Sequence, residues 1–258
     1  MTASFWTTVK AVVAKKLNND SSAVPREDEN LPFGVRVGSL ITLNAGPFLR
    51  AHGSLVAQPP ALSTVVAISR IRMRLDGALY RLYVSKGDNV ADKEAYIQVY
   101  VDAQGQPQEM HYFDRILRIF PDTPETIAAF TGENEDGLGR MDFSLFREQM
   151  EDLGYADAVL NDAFGENDEL VYTRLSQSDR AYVAPFEATE NRIDDSQGKQ
   201  GLRQKVLFMP YGRELGNTSE QLVIATEIVH DQNGVSVDDV HVDFMVGLPL
   251  GTNDIRIQ

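Results

Sequence analysis

The sequence predicts an α+β protein, mostly antiparallel β, with a short helical middle and an N-terminal amphipathic helix. Three observations carry this. Apolar and polar residues alternate with period two in one segment after another. Two turn dipeptides, Asp76-Gly77 and Asn233-Gly234, each sit between such segments, which is the strongest short-range hairpin signal. Helical spacing is confined to residues 1–18, 123–131 and 142–153. Strand hairpins around a helical middle argue for segregated rather than alternating elements.

The 258 residues carry a formal charge of −14, with 43% hydrophobic and 24% charged side chains. That is an ordinary globular balance, and a chain this long buries about 70–75% of its unfolded surface. Cysteine is absent, which excludes disulfides, thiolate zinc sites and cysteine nucleophiles. The acidity argues against nucleic acid as a partner, because phosphates would be repelled. No stretch approaches the ~18 apolar residues of a membrane-spanning helix.

The first element is Met1 to Leu17. Phe5, Trp6, Val9, Val12, Val13 and Leu17 recur near helical spacing, and Ser4 is a fitting N-cap. Residues 1–20 hold three lysines and one aspartate, a balance of +2 that leaves −16 for the rest. The longest apolar run, Ala11 to Ala14, is too short for a secretory h-region. An isolated helix of this length is marginal in water. The face of Phe5, Trp6, Val9 and Val13 is therefore expected to dock on its own body, on a second copy or protein partner, or weakly on an anionic membrane surface. Asn18 to Asn30 reads as a linker, so residues 1–30 form one unit and 31–258 a β-rich body. A finer division puts β subdomains at about 31–120 and 165–258, joined by a helical segment.

Within the body, Val35, Val37, Ile41 and Leu43 alternate with polar residues as a half-buried strand, broken at Ala45-Gly46-Pro47. Strands follow over 64–75 and 78–84. Glu94 to Val101 has Ala95, Ile97, Val99 and Val101 on one face, and Gln108 to Phe113 returns after the turn at 102–105. Thr123-Pro124-Glu125 starts a helix with a capping hydroxyl and Pro at its first position. Asp142 is expected to cap a second helix through Leu153, stopped by Gly154. Residues 170–175, 182–189, 202–209 and 221–229 suit strands, Asn191 to Gly201 reads as a mobile loop, and the Asn-Gly hairpin returns through 235–246.

The Asp76-Gly77 hairpin is the one local feature that hints at a ligand. A two-residue type I′ loop would pair Leu75 with Ala78, Met73 with Tyr80 and Ile71 with Leu82 on one apolar face. The other face would then carry Arg70, Arg72, Arg74 and Arg81 with Leu79 and Tyr83, with Arg72 directly opposite Arg81. Like charges across a ladder are destabilising. Arginines placed so either have internal acids as mates, Asp194-Asp195 and Asp238-Asp239 among the candidates, or grip an anionic ligand or acidic partner.

Leu31-Pro32-Phe33-Gly34-Val35-Arg36-Val37-Gly38-Ser39 resembles the opening of the bacterial YjfK-like family, a domain of unknown function. Tyr96-Ile97-Gln98-Val99, Leu153-Gly154-Tyr155, Tyr172-Thr173-Arg174, Tyr211-Gly212-Arg213-Glu214 and Val246-Gly247-Leu248-Pro249 are similar to further segments of it, over about residues 30–257. The resemblance brings no catalytic signature. It implies an association with membrane-stress neighbours, which is association rather than mechanism.

Sites for cofactors fail on inspection. Gly137-Leu138-Gly139 begins like a dinucleotide loop, but Asp142 stands where glycine belongs. The acidic loop Glu133 to Gly137 lacks calcium-loop spacing. Asp239, His241 and Asp243 alternate on one strand face, which reads as a solvent-facing stripe because straight strand neighbours diverge. The register from Asn233-Gly234 sets His241 opposite Thr226. His111 reads as a strand-surface residue, and no metal or cofactor is expected. Two functions remain. The first is a non-enzymatic interaction protein, cytoplasmic and peripheral at the inner membrane, recruited by its N-terminal helix. The rival is an enzyme or binding protein for a small anion held by the arginine face.

Overall fold

The computed structural model describes residues 31–258 except 75, 86–93, 134, 136, 177, 196–197, 199–200 and 231–235. The N-terminal helix and linker, Leu75 and the Asn233-Gly234 turn lie outside the described residues. Twelve strands are described: β1 Leu40–Leu43, β2 Leu62–Arg72, β3 Ala78–Val84, β4 Ala95–Val101, β5 Pro107–Ile119, β6 Asp142–Phe146, β7 Glu169–Arg174, β8 Phe186–Ile193, β9 Arg203–Leu215, β10 Thr218–His230, β11 Ser236–Leu250 and β12 Ile255–Ile257. Four helices accompany them: α1 Gly46–Arg50, α2 Pro124–Thr131, α3 Arg147–Asp152 and α4 Asp157–Phe164.

Every pairing is antiparallel, and eight strands close on themselves in the order β2-β3-β4-β5-β11-β10-β9-β8, with β8 returning to β2. Four of these strands precede the helical middle and four follow it, so the two β-rich stretches build one barrel. β2 makes the closure possible by having two partners on one edge. Its first residues pair with β1, Leu40 opposite Thr64, and its last with β8, Arg72 opposite Thr189. A bulge between Val65 and Ala67 separates the two stretches. Outside the ring, β12 pairs β1, and β7 carries β6 onto the end of β9.

The barrel wall is covered from outside. Ile68, Leu82, Ile97, Tyr112, Val246, Ile224 and Met209 point outward into the main hydrophobic cluster, where Val35, Leu55, Met150, Leu160 and Phe164 meet them. The Glu220 carboxylate, fully buried, fastens this layer. It accepts from Ser54 Oγ (2.5 Å), the Leu55 amide (2.7 Å), Tyr172 Oη (2.6 Å) and Arg213 Nε (2.8 Å). Burial, then the Glu220 charge, holds the Tyr172 phenol far above its usual range, so it stays a donor. A second clamp is buried Arg174, which donates to the carbonyls of Gly139, Ser178 and Arg180.

Local signals explain part of this. α2 starts where its cap predicts: Thr123 Oγ1 accepts from the Thr126 amide at 3.1 Å, and Gly132 ends it at φ 76°. The helix expected over 142–153 is corrected to a strand and then a short helix. Asp142 accepts from Thr173 across the β6–β7 ladder instead of capping, and Leu145 turns inward while Asp142 and Phe146 face solvent. A neighbouring strand edge outweighs helix propensity here. α4 escaped the sequence reading because it shows only two core anchors, Leu160 and Phe164. The strand expected from Val35 starts only at Leu40.

The first hairpin is also corrected. The observed register pairs Ile71 with Leu79, Arg70 with Tyr80 and Ser69 with Arg81. Residues 73–77 connect the strands, and Gly77 is not in the left-handed region. A Cβ there would lie 2.0 Å from the Val101 carbonyl oxygen, so close approach to β4 is what demands glycine. The register moves by three residues, an odd number, so it exchanges faces between the strands.

Two substitutions test the architecture by urea denaturation. Glu220→Ala leaves Arg213 buried without its carboxylate and should cost about 3 kcal/mol or more. Gly247→Ala would set a Cβ 2.4 Å from the Phe113 ring and 2.7 Å from the Tyr112 carbonyl oxygen, and should cost about 1–3 kcal/mol. An unchanged midpoint in either variant contradicts the packing described.

Candidate functional site: the charged barrel lumen

The inward face of the eight strands is not an apolar core. Ala67, Tyr83, Tyr96, Phe113, Val223 and Met245 fill one zone. Beside them stand Arg81, Glu190, Gln204, Glu227, His241 and Asp243, all buried. Their bonds cross the interior. Glu190 on β8 accepts from Arg81 Nη1 (3.2 Å) and Tyr83 Oη (2.6 Å) on β3, and from Gln204 Nε2 (3.1 Å) on β9. Arg81 Nη1 also lies 3.8 Å from Glu227 Oε1 on β10. Strands β3 and β10 are not neighbours in the ring, so this contact spans the lumen.

A second group sits beside the first. Arg118 holds Asp243 through Nε (2.6 Å) and Nη2 (2.5 Å), the two-pronged geometry that suits a guanidinium and a carboxylate. Arg115 reaches the same Asp243 at 3.8 Å and Glu94 at 3.4 Å, and Arg192 donates to Glu94 at 2.7 Å. Arg115 and Arg118 are three apart, yet both face inward. The bulge in the β5–β11 ladder between Phe244 and Met245 shifts the parity and re-aims Arg118. Arg192 stacks 4.1 Å over the Tyr83 ring, and Arg81 4.8 Å over Tyr96. Among the described residues, Arg81, Arg115, Arg118 and Arg192 thus face Glu94, Glu190, Glu227 and Asp243, four charges of each sign.

Two of the buried lumen carboxyls, Glu190 and Glu227, are pushed apart. For Glu190, burial alone would raise its pKa, but Arg81 and its hydrogen bonds outweigh burial and hold it below the ordinary value. For Glu227, burial wins, aided by the charges of Glu190 and Asp243, and its pKa rises although His241 Nε2 lies 2.9 Å from Oε2. Burial alone drives His111 down to about 4, beside Gln221 at 2.9 Å. His111 shares the inward face of β5 with Phe113, whose ring centroid is 5.9 Å away, and is partly buried there.

The ligating atoms of Glu227, His241 and Asp243 lie within 4.8 Å of one another. A cation among them would stand beside Arg81, Arg115 and Arg118, with both Asp243 oxygens already held. The geometry is that of an ion-pair network. The expectation of a solvent-facing stripe is therefore overturned for His241 and Asp243, and His241 stands opposite Glu227 rather than Thr226. The side chain of Asp239 lies outside the described residues.

The arginine face is redistributed. Arg81 is buried in the lumen with Leu79 and Tyr83, whereas Arg70 and Arg72 are exposed on the outer wall and Arg74 lies exposed in the connecting loop. Arg81 therefore faces Ser69, not Arg72, and cannot join Arg70, Arg72 and Arg74 in gripping one ligand. Glu94, Arg115, Arg118, Glu190, Arg192 and Glu227 were not foreseen as a site. For Glu227 the signal is a charge in the run Val223-Ile224-Ala225-Thr226-Glu227-Ile228-Val229, where a strand is apolar on both faces; Glu190 and Arg192, between Thr189 and Asn191, give no such signal. Compared with known proteins, the chain matches no family model, no curated protein and no solved structure.

Two pH measurements test the lumen. His111 should titrate near 4 by NMR; an ordinary imidazole value near 6.5 contradicts its burial. Glu227 has a raised folded pKa, so its contribution is full below the ordinary 4.5 and is lost as pH climbs through the folded value. Glu227→Gln, which cannot ionise, should gain stability relative to the wild type as pH rises above 4.5. A difference that is flat, or of opposite sign, rejects the assignment.

Proposed function

We propose that the chain is a non-enzymatic interaction protein: a rigid barrel that works through its outer surface, recruited by the amphipathic helix of residues 1–20. The observation that carries this is the mutual pairing of the lumen charges. Four carboxylates are matched by four arginines across the barrel, so the interior is spent on locking the strands. These groups have their partners within the barrel, each charge answered by another across the lumen. The small-anion reading loses Arg81 to the lumen and retains only outer-wall arginines.

Recruitment rests on the sequence. Phe5, Trp6, Val9 and Val13 form an apolar stripe with lysines nearby, on a segment of +2 attached to a body of −16. Such a helix suits a protein partner, self-association or weak contact with an anionic membrane surface. The resemblance of residues 30–257 to the YjfK-like family, with its membrane-stress neighbours, adds by association to a reading in which a cytoplasmic protein sits peripherally at the inner membrane. Among the described residues, no helix is long and apolar enough to cross a membrane.

Deleting residues 1–20 should leave thermal unfolding cooperative and lower its midpoint little. Trp6, the only tryptophan, should shift its emission to the blue when anionic vesicles or the true partner are added. Emission already blue-shifted in dilute protein, together with loss of folding on deletion, would place the helix in the core and end the proposal.

A further inference from the structure

The outer wall is clothed over most of the ring, Ile68 and Met209 included, but bare where the last residues of β2 and the first of β9 flank β8. Register fixes what is displayed there. Arg72, Thr189 and Lys205 form one row across the three strands, and Arg70, Asn191 and Arg203 form the next. Arg70, Arg72 and Arg203 are exposed, Lys205 is partly exposed, and Arg74 extends the β2 side into the loop. In these rows the odd-numbered β8 residues face outward, because Glu190 between them is fully buried on the opposite face.

Four cations therefore share one face of a protein of net charge −14, with a fifth, Arg74, in the adjoining loop. Among the described residues, Arg72, Arg74 and Arg203 have no hydrogen-bond or ion-pair partner, Arg70 only stacks 5.9 Å from Tyr80, and Lys205 alone meets an acid, exposed Glu187 at 3.2 Å. Like charges held together without internal mates are a standing cost. Elsewhere the chain spends arginine on carboxylates with care, as at Arg118 and Arg213.

The layout also has a shape. Arg70 and Arg72 make one rail and Arg203 and Lys205 the other, with β8 between them as a floor offering Thr189 and Asn191. Neighbouring strands lie about 4.8 Å apart and alternate residues about 6.8 Å apart, so the rails are about 10 Å apart with cations every ~7 Å. An extended peptide lying along β8 would send successive side chains alternately to each rail, with the same ~7 Å repeat on either side.

We infer that the outer face of β2–β8–β9 is a docking site for an extended, consecutively acidic segment of a partner protein, held by Arg70, Arg72, Arg203 and Lys205. This rests on the interaction-protein reading and names the partner's chemistry at a second surface, independent of the leader. Charge complementarity selects a short acidic strand over a membrane. A bilayer would bring the acidic remainder of the body against anionic headgroups, whereas a peptide within about one Debye length, ~10 Å, meets only the rails.

The test uses the full chain and a fluorescein-labelled oligoglutamate peptide in anisotropy titrations. Binding should weaken as salt rises. The combined variant Arg70→Gln, Arg72→Gln, Arg203→Gln, Lys205→Gln should lose ~tenfold or more of it while melting like the wild type, since these side chains are on the surface. Rescue by Lys at the three arginine positions would show that charge is what matters. No peptide binding, or binding unchanged in the variant, overturns the inference. So does patch-dependent binding to phosphatidylglycerol vesicles without peptide binding, or patch-dependent self-association without it. The Trp6 response is read on the same variant and should persist, so failure at the rails and failure of the leader remain distinguishable.

Discussion

Closure of the barrel turns on Glu190. β8 is the strand that joins the two ends of the ring, and it carries this carboxylate to the centre, where Arg81, Tyr83 and Gln204 receive it. Burying such a pair is not a large source of stability, because desolvation of both ions offsets their attraction. Its force is in what it forbids. A slip of β8 by one residue against β2 or β9 would turn Glu190 outward and bring Thr189 in, leaving Arg81 buried with one distant carboxylate. The outward Ile68 of β2, packed in the hydrophobic layer, and the ionic lumen therefore demand the same register, and the bulge in β5 that aims Arg118 at Asp243 serves the same arrangement.

Polarity is arranged outside in. In many small barrels side chains of the interior form the hydrophobic core; here the larger apolar cluster lies between the wall and the segments laid on it. That layer is why strands such as β3 are buried on both faces. It also explains why Glu220 and Arg213, outside the ring, are as buried as the ions within it. Where the layer stops, around β8, the wall shows its polar side: Thr189 and Asn191 flanked by cations of β2 and β9, of which Arg72 and Arg203 have no partner among the described residues.

Much of this was legible. Period two placed most strands within a few residues, the face assignment of β4 held, and the cap at Thr123 located α2. The hairpin at Asp76-Gly77 was legible as a hairpin but not in register, because a glycine required by the Val101 carbonyl looks in sequence like a glycine required by a turn. That single ambiguity moved Arg81 from lumen to surface. The site itself was largely hidden. Glu94, Glu190 and Glu227 are ordinary acids in an acidic chain, and only ring closure, a relation between residues more than a hundred positions apart, brings Arg81 to Glu190. Local patterns do not encode which strand meets which across a lumen.

The long reach from β2 to β8 has a further consequence, for how the chain acquires its shape. The hairpins β2–β3, β4–β5, β9–β10 and β10–β11 join near neighbours in sequence, whereas Ile71 must find Glu190 across the whole helical middle. Pairings of such separation raise contact order and come late, after the loop entropy has been met. Until then β2 and β8, the latter already paired with β9 on its other side, each present a bare edge, the usual invitation to intermolecular strand pairing. What that half-made sheet exposes along its inner face, however, is arginine and carboxylate, and hydrated charge next to an open edge discourages another copy from adding its own strand. The ionic interior thus acts as a gatekeeper during assembly as well as a lock afterwards.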